Sequence, residues 1–170
     1  MSRPIGVLFV CHANVCRSPL AEGVFRHLVD AASLTARFRI DSAGTYAMAG
    51  AGPHPKSCEV ARARGIRLEG ASRQLLREDL EAFDHILVMD RSNYRELERL
   101  AQPSSFGPLT GYAARIRLLL SVGLSVGDRD ATELDIRDPI GRSVEAYAHT
   151  YALLEAACRR LLDELAPRGG

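Results

Sequence analysis

FVCHANVCRSPLAE, residues 9–22, puts Cys11, Cys16 and Arg17 within seven residues, between an apolar run and a helical pattern. Upstream, GVLFVC (6–11) is a short β-rich run bounded by Pro4-Ile5-Gly6 and by the polar turn His12-Ala13-Asn14. It reads as a buried strand. From Ser18 the pattern turns helical. Ser18 suits an N-cap, Pro19 the first helical position, and Glu22 lies near the electropositive first turn. Leu20, Val24, Phe25, Leu28 and Val29 then recur on one apolar face. The opening is therefore strand, loop, helix.

The same alternation continues outward. RFRIDSAG (37–44) reads as a second strand, and TYAMAGAGPHP (45–55) as a connection without phosphate-loop glycine spacing. Residues 56–64 form a helix stopped by Gly65, and DHILVMD (84–90) is a third, near-continuously apolar strand. SNYRELERLAQ (92–102) is helical with a Ser/Asn cap, and a fourth strand is expected near 106–109. Residues 112–122 are amphipathic, and 123–141 are loop-like and rich in Asp and Gly. Residues 143–165 make a long final helix with a stripe through Val144, Tyr147, Tyr151, Leu154, Ala157 and Leu161. Short apolar strands alternating with helices indicate an α/β domain with an open parallel sheet and helices on both faces. In such sheets the site lies beyond the carboxyl ends of the strands, where 12–17, 42–45, 90–92 and 135–141 would converge.

Composition narrows the classes. At 170 residues the chain can bury a real core, and a single domain over 1–170 is expected, with 165–170 as a flexible tail. A net charge of +1 gives no basic excess for nucleic acid. No run reaches the ~18 apolar residues of a membrane span. The N-terminus has only a six-residue apolar run and no small-residue cleavage site, so a cytoplasmic location is expected. Thiols stay reduced there. The close pair Cys11 and Cys16 then reads as catalytic, redox or metal chemistry rather than as a structural disulfide. No second pair stands at ligand spacing, so no metal is expected.

The loop carries its own chemistry. It joins a strand to a helix N-terminus, where backbone N–H groups are unpaired and the dipole is positive. That is a ready anion site. Arg17 adds a planar fork suited to two phosphate oxygens. A helix N-terminus and an arginine both favour the thiolate of Cys11, its nucleophilic form. Together these features describe phosphoryl transfer through a cysteinyl-phosphate, with Ser18 able to hydrogen-bond the departing thiolate. The bare spacing of Cys11 and Arg17 also occurs by chance, as a structural cysteine plus a surface arginine. The strand before it, the helix after it, and Asn14, Cys16, Ser18 and Pro19 in register favour the catalytic reading. The leaving oxygen needs a general acid. Asp138 is the candidate, since Pro139 restricts it to extended backbone; Asp128, Asp130, Glu133 and Asp135 are rivals.

VLFVCHANVCRSPLAEGVFR (7–26) resembles the low-molecular-weight protein tyrosine phosphatases, whose pattern is V-C-x-G-N-x-C-R-S-P. The resemblance continues through IDSAGT (40–45), the stretch ending at Ile66, SRQL (72–75), FDHILVMDRSNYREL (83–97) and Asp138-Pro139, roughly residues 5–163. The middle and the tail are most similar to the Gram-negative branch that acts on tyrosine autokinases of exopolysaccharide export. The resemblance implies a four-stranded parallel sheet flanked by helices and a phosphotyrosine phosphatase with no cofactor. Its substrate would be a phosphotyrosine protein, such as a tyrosine autokinase; a monomer is favoured. It further implies that Cys11 is the nucleophile, that Arg17 binds phosphoryl oxygens, and that Asp138 is general acid and then base. His12, Ala13, Asn14, Val15, Cys16 and Ser18 would line the phosphate, with Ser18 stabilising the thiolate. Asn14 and Ser42 would shape the loop and Asp90 would brace it near Arg17. Cys16 would be the second cysteine that can close a protective disulfide with the nucleophile.

The chain departs from the family pattern in places. Ala13 stands for the usual glycine, Ile140-Gly141 for aromatics after Asp138-Pro139, and Gly70-Ala71-Ser72 where a histidine often precedes the RQ motif. Tyr46 or Met48 can replace the lost stacking wall. Residues 121–137 are longer than in the most similar branch. Three other readings compete. An arsenate reductase of this fold needs further cysteines near 80–90, whereas Cys58 and Cys158 lie elsewhere, Cys158 on the last helix as a structural residue. Protein arginine phosphatases carry threonine where Val15 stands. A silent phosphate-binding module would not need Cys11, Arg17 and Asp138 together. His12 can tune Cys11 or touch substrate, and reads equally well as a solvent-facing loop histidine. His27, His54, His85 and His149 read as surface or boundary residues, and residues 91–99 as a solvated helix face.

Overall fold

Alternation along β1 (Ile5–Cys11) sets the layers. Val7 and Phe9 point into one apolar cluster with Leu20, Val24, Phe25, Leu154 and Leu161. Leu8 and Val10 point into the other, with Leu80, Phe83 and Leu97. Both faces are covered, which is why this strand reads as continuously apolar. The computed structural model describes residues 3–102, 115–131 and 133–167.

Around β1 lie β2 (Phe38–Gly44), β3 (His85–Val88) and β4 (Arg115–Leu118), in the order β2-β1-β3-β4 and all parallel. Helices α1 (Arg17–Ala31), α2 (Pro55–Arg62) and α6 (Val144–Leu165) cover one face. Helices α3 (Asp79–Ala82) and α4 (Arg91–Ala101) cover the other, and α5 (Val126–Ala131) lies in the late connection. The fold is the open four-stranded α/β sheet expected from the sequence. The α1 face is buried at all five expected positions, Leu20, Val24, Phe25, Leu28 and Val29.

Several boundaries differ. The strand expected near 106–109 lies outside the described residues. The fourth strand is β4, inside the stretch read only as amphipathic. Its four residues, Arg-Ile-Arg-Leu, alternate with period two, a signal too short to separate from a helical face. Pairing with β3 fixes it, and Arg117 reaches Glu164 at 3.0 Å. Helix α5 falls in the region read as loop. Helix α4 is capped by Asp90, whose Oδ1 accepts from the Asn93 N–H at 2.8 Å, rather than by Ser92 or Asn93. At the C-terminus, Leu165 still belongs to α6 and Ala166 is buried, whereas 168–170 lie outside the described residues.

Candidate active site

β1 ends at Cys11 and α1 begins at Arg17, so five residues make the turn between them. They turn against the end of β2, where Gly44 lies opposite Cys11. A Cβ on Gly44 would sit 2.6 Å from the His12 carbonyl oxygen and 2.9 Å from the Asn14 nitrogen, so the approach requires glycine. Carbonyls of the loop face outward. Cys11 and His12 accept from the N–H groups of Thr45 (3.0 Å) and Tyr46 (2.9 Å). Val15 accepts from the His54 N–H at 2.7 Å, and Cys16 from the Ser57 hydroxyl at 3.2 Å. None of the N–H groups of residues 12–16 is bonded within the described residues. A loop with its carbonyls tied back and its N–H groups free is an anion cradle.

Asn14 locks this conformation. It occupies the left-handed region, φ 57°, which asparagine tolerates better than most side chains. Its Nδ2 donates to the hydroxyls of Ser18 and Ser42, both at 2.9 Å, and its Oδ1 accepts from the Arg73 N–H at 2.9 Å. Ser42 donates onward to Glu22 Oε2 at 2.6 Å, and Arg26 Nε donates to the other Glu22 oxygen at 3.0 Å. Ala13 is not at positive φ, so alanine in place of glycine carries no strain there. Where the family's histidine is missing, Ser72 is buried; it bonds the Met48 carbonyl and accepts from the Ala51 N–H at 3.0 Å.

Ser18 is not the helix cap. The cap is Cys16, without a side-chain capping bond, and Ser18 is the second helical residue, fully buried, with Oγ 3.0 Å from Cys11 Sγ. Pro19 is consequently third rather than first, still within the turn whose N–H groups have no helical partner. Glu22 lies beyond the first turn, and its carboxylate serves Ser42 and Arg26 instead of the dipole.

Arg17 is only 2% exposed. Its Nη1 donates to Asp90 Oδ2 at 2.6 Å and to the Ile136 carbonyl at 2.9 Å. Its Nη2 reaches Asp138 Oδ2 at 3.2 Å, and its buried Nε has no hydrogen-bond partner among the described residues. One guanidinium thus joins the 11–18 loop to a carboxylate 121 residues away. The rivals of Asp138 are engaged elsewhere: Asp135 and Glu133 pair with Arg91 at 3.1 and 3.6 Å, and Asp128 accepts from the Ser125 hydroxyl at 2.7 Å. The Asp130 side chain lies outside the described residues. At the mouth, the His12 and Tyr46 rings lie 5.2 Å apart, and Tyr46, Met48 and Ile140 are exposed.

Sequence reasoning missed the surroundings of Cys16. Its Sγ lies 3.4 Å from the Tyr147 hydroxyl, in the core. Burial pushes the Cys16 thiol up from its ordinary value, against the opposing effect of the Tyr147 hydrogen bond. Burial, with the Cys16 contact, also raises Tyr147. The His54 ring stacks on Tyr147 at 5.2 Å, while its Nδ1 caps α2 by accepting from the Lys56 N–H. A helical stripe marks Tyr147 as core but says nothing of its hydroxyl's partner. Cys158 is fully buried, as read, and all four cysteines are free thiols.

The family model for low molecular weight phosphotyrosine protein phosphatases matches residues 6–168. The chain belongs to that family. It is accordingly a phosphatase, a hydrolase. A Synechocystis relative assigned by name to the low-molecular-weight protein-tyrosine-phosphatases is 37% identical over 160 residues, 94% of this chain and 95% of its own. A protein tyrosine phosphatase from Entamoeba histolytica superposes with a TM-score of 0.80 at 27% identity, covering 95% of this chain and 96% of its own. The arginine phosphatase YwlE of Bacillus subtilis gives 0.78 at 25% identity, covering 96% and 97%. Among the described residues, no helix is long and apolar enough to cross a membrane.

Proposed function

We propose that this phosphatase hydrolyses phosphotyrosine in proteins through a cysteinyl-phosphate at Cys11, without metal or cofactor. The observation that carries the reading is the Arg17 guanidinium, buried beside the loop of Cys11 and bonded to Asp138. The free N–H groups of residues 12–16 and the unpartnered Arg17 Nε hold the phosphoryl oxygens. The Cys11 thiolate attacks phosphorus, the bond to the tyrosyl oxygen breaks, and Asp138 gives that oxygen its proton. Asp138 then takes a proton from water as the water oxygen attacks phosphorus. The Cys11 thiolate leaves, stabilised by the Ser18 hydroxyl, and inorganic phosphate is released.

The exposed Tyr46, Met48 and Ile140 support an aromatic ester, because they offer apolar walls to a phenyl ring where the family's aromatics are missing. Val15 favours phosphotyrosine, an ester, over phosphoarginine, a phosphoramidate. On resemblance to the exopolysaccharide branch, the partner is a tyrosine autokinase of polysaccharide export, met in the cytoplasm by a monomeric, single-domain enzyme. Turnover of p-nitrophenyl phosphate, phosphotyrosine peptides and phosphoarginine peptides by wild type, Cys11→Ser and Asp138→Ala tests the reading. Tyrosine-selective turnover is expected, abolished in Cys11→Ser and lowered ~10²-fold in Asp138→Ala. Preference for phosphoarginine would overturn the substrate class and keep the mechanism. No turnover by the folded, reduced wild type would overturn both.

A further inference from the structure

The segment that delivers Asp138 is a partition one chain thick. On its inner side, the Ile136 carbonyl and the Asp138 carboxylate both bond Arg17. On its outer side, Glu133, Asp135, Arg137 and Pro139 line a separate cavity of about 520 Å³. Asp138 turns its carboxylate to Arg17 and Ile136 its carbonyl, the Leu134 and Ile136 side chains lie in the core, and the intervening odd-numbered residues face the cavity. The opposite wall is one face of α6, with Ala146, Thr150 and Leu153, and Leu120 adds an apolar contact. The volume falls within the range of small-molecule sites.

Charge at the rim selects the ligand. Glu133 and Asp135 are occupied by Arg91. The Glu145 carboxylate is held below its ordinary range by its own backbone N–H and by Ser143, with Lys56 adding attraction. Arg137 and Arg142 are exposed; Arg137 attracts the Glu133 carboxylate without a hydrogen bond to it, and the Arg142 side chain forms no ion pair or hydrogen bond among the described residues. Two exposed guanidinium groups over an apolar wall suit a carboxylate carried on a flat apolar body.

We propose that this cavity is a regulatory site for a small aryl carboxylate, which acts on turnover through the Glu133–Pro139 partition. Arg137 and Arg142 hold the carboxylate, and the aryl body lies between Pro139 and the Ala146–Leu153 face of α6. Occupancy biases the position of Asp138 on the far side of the same backbone. The effect on turnover rests on Asp138 acting as proposed above; the binding does not.

The test uses 1-naphthoate and its uncharged amide, titrated calorimetrically into the full chain with and without saturating vanadate. Vanadate occupies the phosphate cradle, so binding that survives it lies elsewhere. The acid is expected to bind vanadate-loaded protein and the amide to bind at least roughly tenfold more weakly. Arg137→Ala and Arg142→Ala, at exposed positions, are each expected to weaken the acid about tenfold. Ala146→Phe, checked for folding by circular dichroism, fills the cavity and is expected to abolish binding. In the wild type the acid is expected to change kcat for p-nitrophenyl phosphate by roughly fivefold at constant KM. Binding lost on adding vanadate, equal affinity for acid and amide, or indifference to all three substitutions would overturn the site. Binding as expected with kcat unmoved would overturn the regulation. A wrong assignment of tyrosine esters would show in the peptide turnover and leave naphthoate binding untouched.

Discussion

Residues 11–18 and residues 133–140 both end on Arg17, but they are held there by different means. The first loop is short, buried and tied by side chains: Asn14 alone makes three bonds, to Ser18, Ser42 and the Arg73 backbone. The second is held at its base by the Ile136 N–H on the Met89 carbonyl at 2.8 Å and by Asp135 on the Arg91 N–H at 3.0 Å. Its tip is open, and the Asp138 side chain is 38% exposed. The difference fits the two tasks proposed above. A phosphoryl group is stabilised by donors already in place, which need not reorganise during reaction. A group that gives a proton and then takes one from water has to meet both the leaving oxygen and solvent.

The largest effect is expected where the two loops meet. Arg17→Lys removes the planar fork that binds Asp90, Ile136 and Asp138 together, and kcat/KM on a phosphotyrosine peptide is expected to fall ~10³-fold. A loss under tenfold would mean that the loops do not depend on the fork. Next comes Asp138→Asn, expected to lower kcat on the same peptide ~10²-fold while thermal unfolding stays near wild type. Asn14→Ala should behave in the reverse sense, with stability lower by about 1–3 kcal/mol from its unpaired buried partners and a loss of activity of roughly tenfold. If Asp138→Asn proved the more destabilising of the two in denaturant titrations, the contrast between the loops would collapse.

The smallest effect serves as a control from the far end of the sheet. His85 begins β3, away from both loops, and burial, reinforced by Arg117, pushes its imidazole below the ordinary 6.5. The unfolded chain therefore binds this proton at higher pH than the folded one. The contribution is complete above pH 6.5 and declines as pH falls through 6.5 toward the lowered folded value. His85→Gln should flatten that part of the stability curve between pH 7.5 and 5.5 and leave the pH profile of kcat unchanged. A shifted kcat profile would connect this end of the sheet to the catalytic end.

How much was legible in the residues follows the range of each interaction. The apolar run 6–11, the five-position face of α1 and the placement of Cys11 and Arg17 between them are local patterns with periods of two and 3.6, so they survive in a linear reading. Resemblance supplied Asp138; backbone restriction by Pro139 alone did not separate it from Asp135 or Glu133. What separated them in space was Arg91, which engages both rivals, while Arg17 reaches Asp138. The same limit explains Ser18, a good cap by type that the fold drew inside the helix to face Cys11.

It also explains Asp90, Glu22 and Tyr147. Resemblance alone had put Asp90 near Arg17, Glu22 and Tyr147 looked ordinary in sequence, and each gained its role from a partner 20 to 131 residues away. Strand β4 shows the converse, four residues too few to declare a period until β3 paired with them. The amino acids alone therefore set the layers and the chemistry of the Cys11–Arg17 turn, because both are written within a few residues. Which carboxylate reaches Arg17, and which groups close around the thiols, depended on packing. Hydrogen bonds across the fold are chosen by proximity after the sheet has formed, and proximity leaves no mark on neighbouring residues.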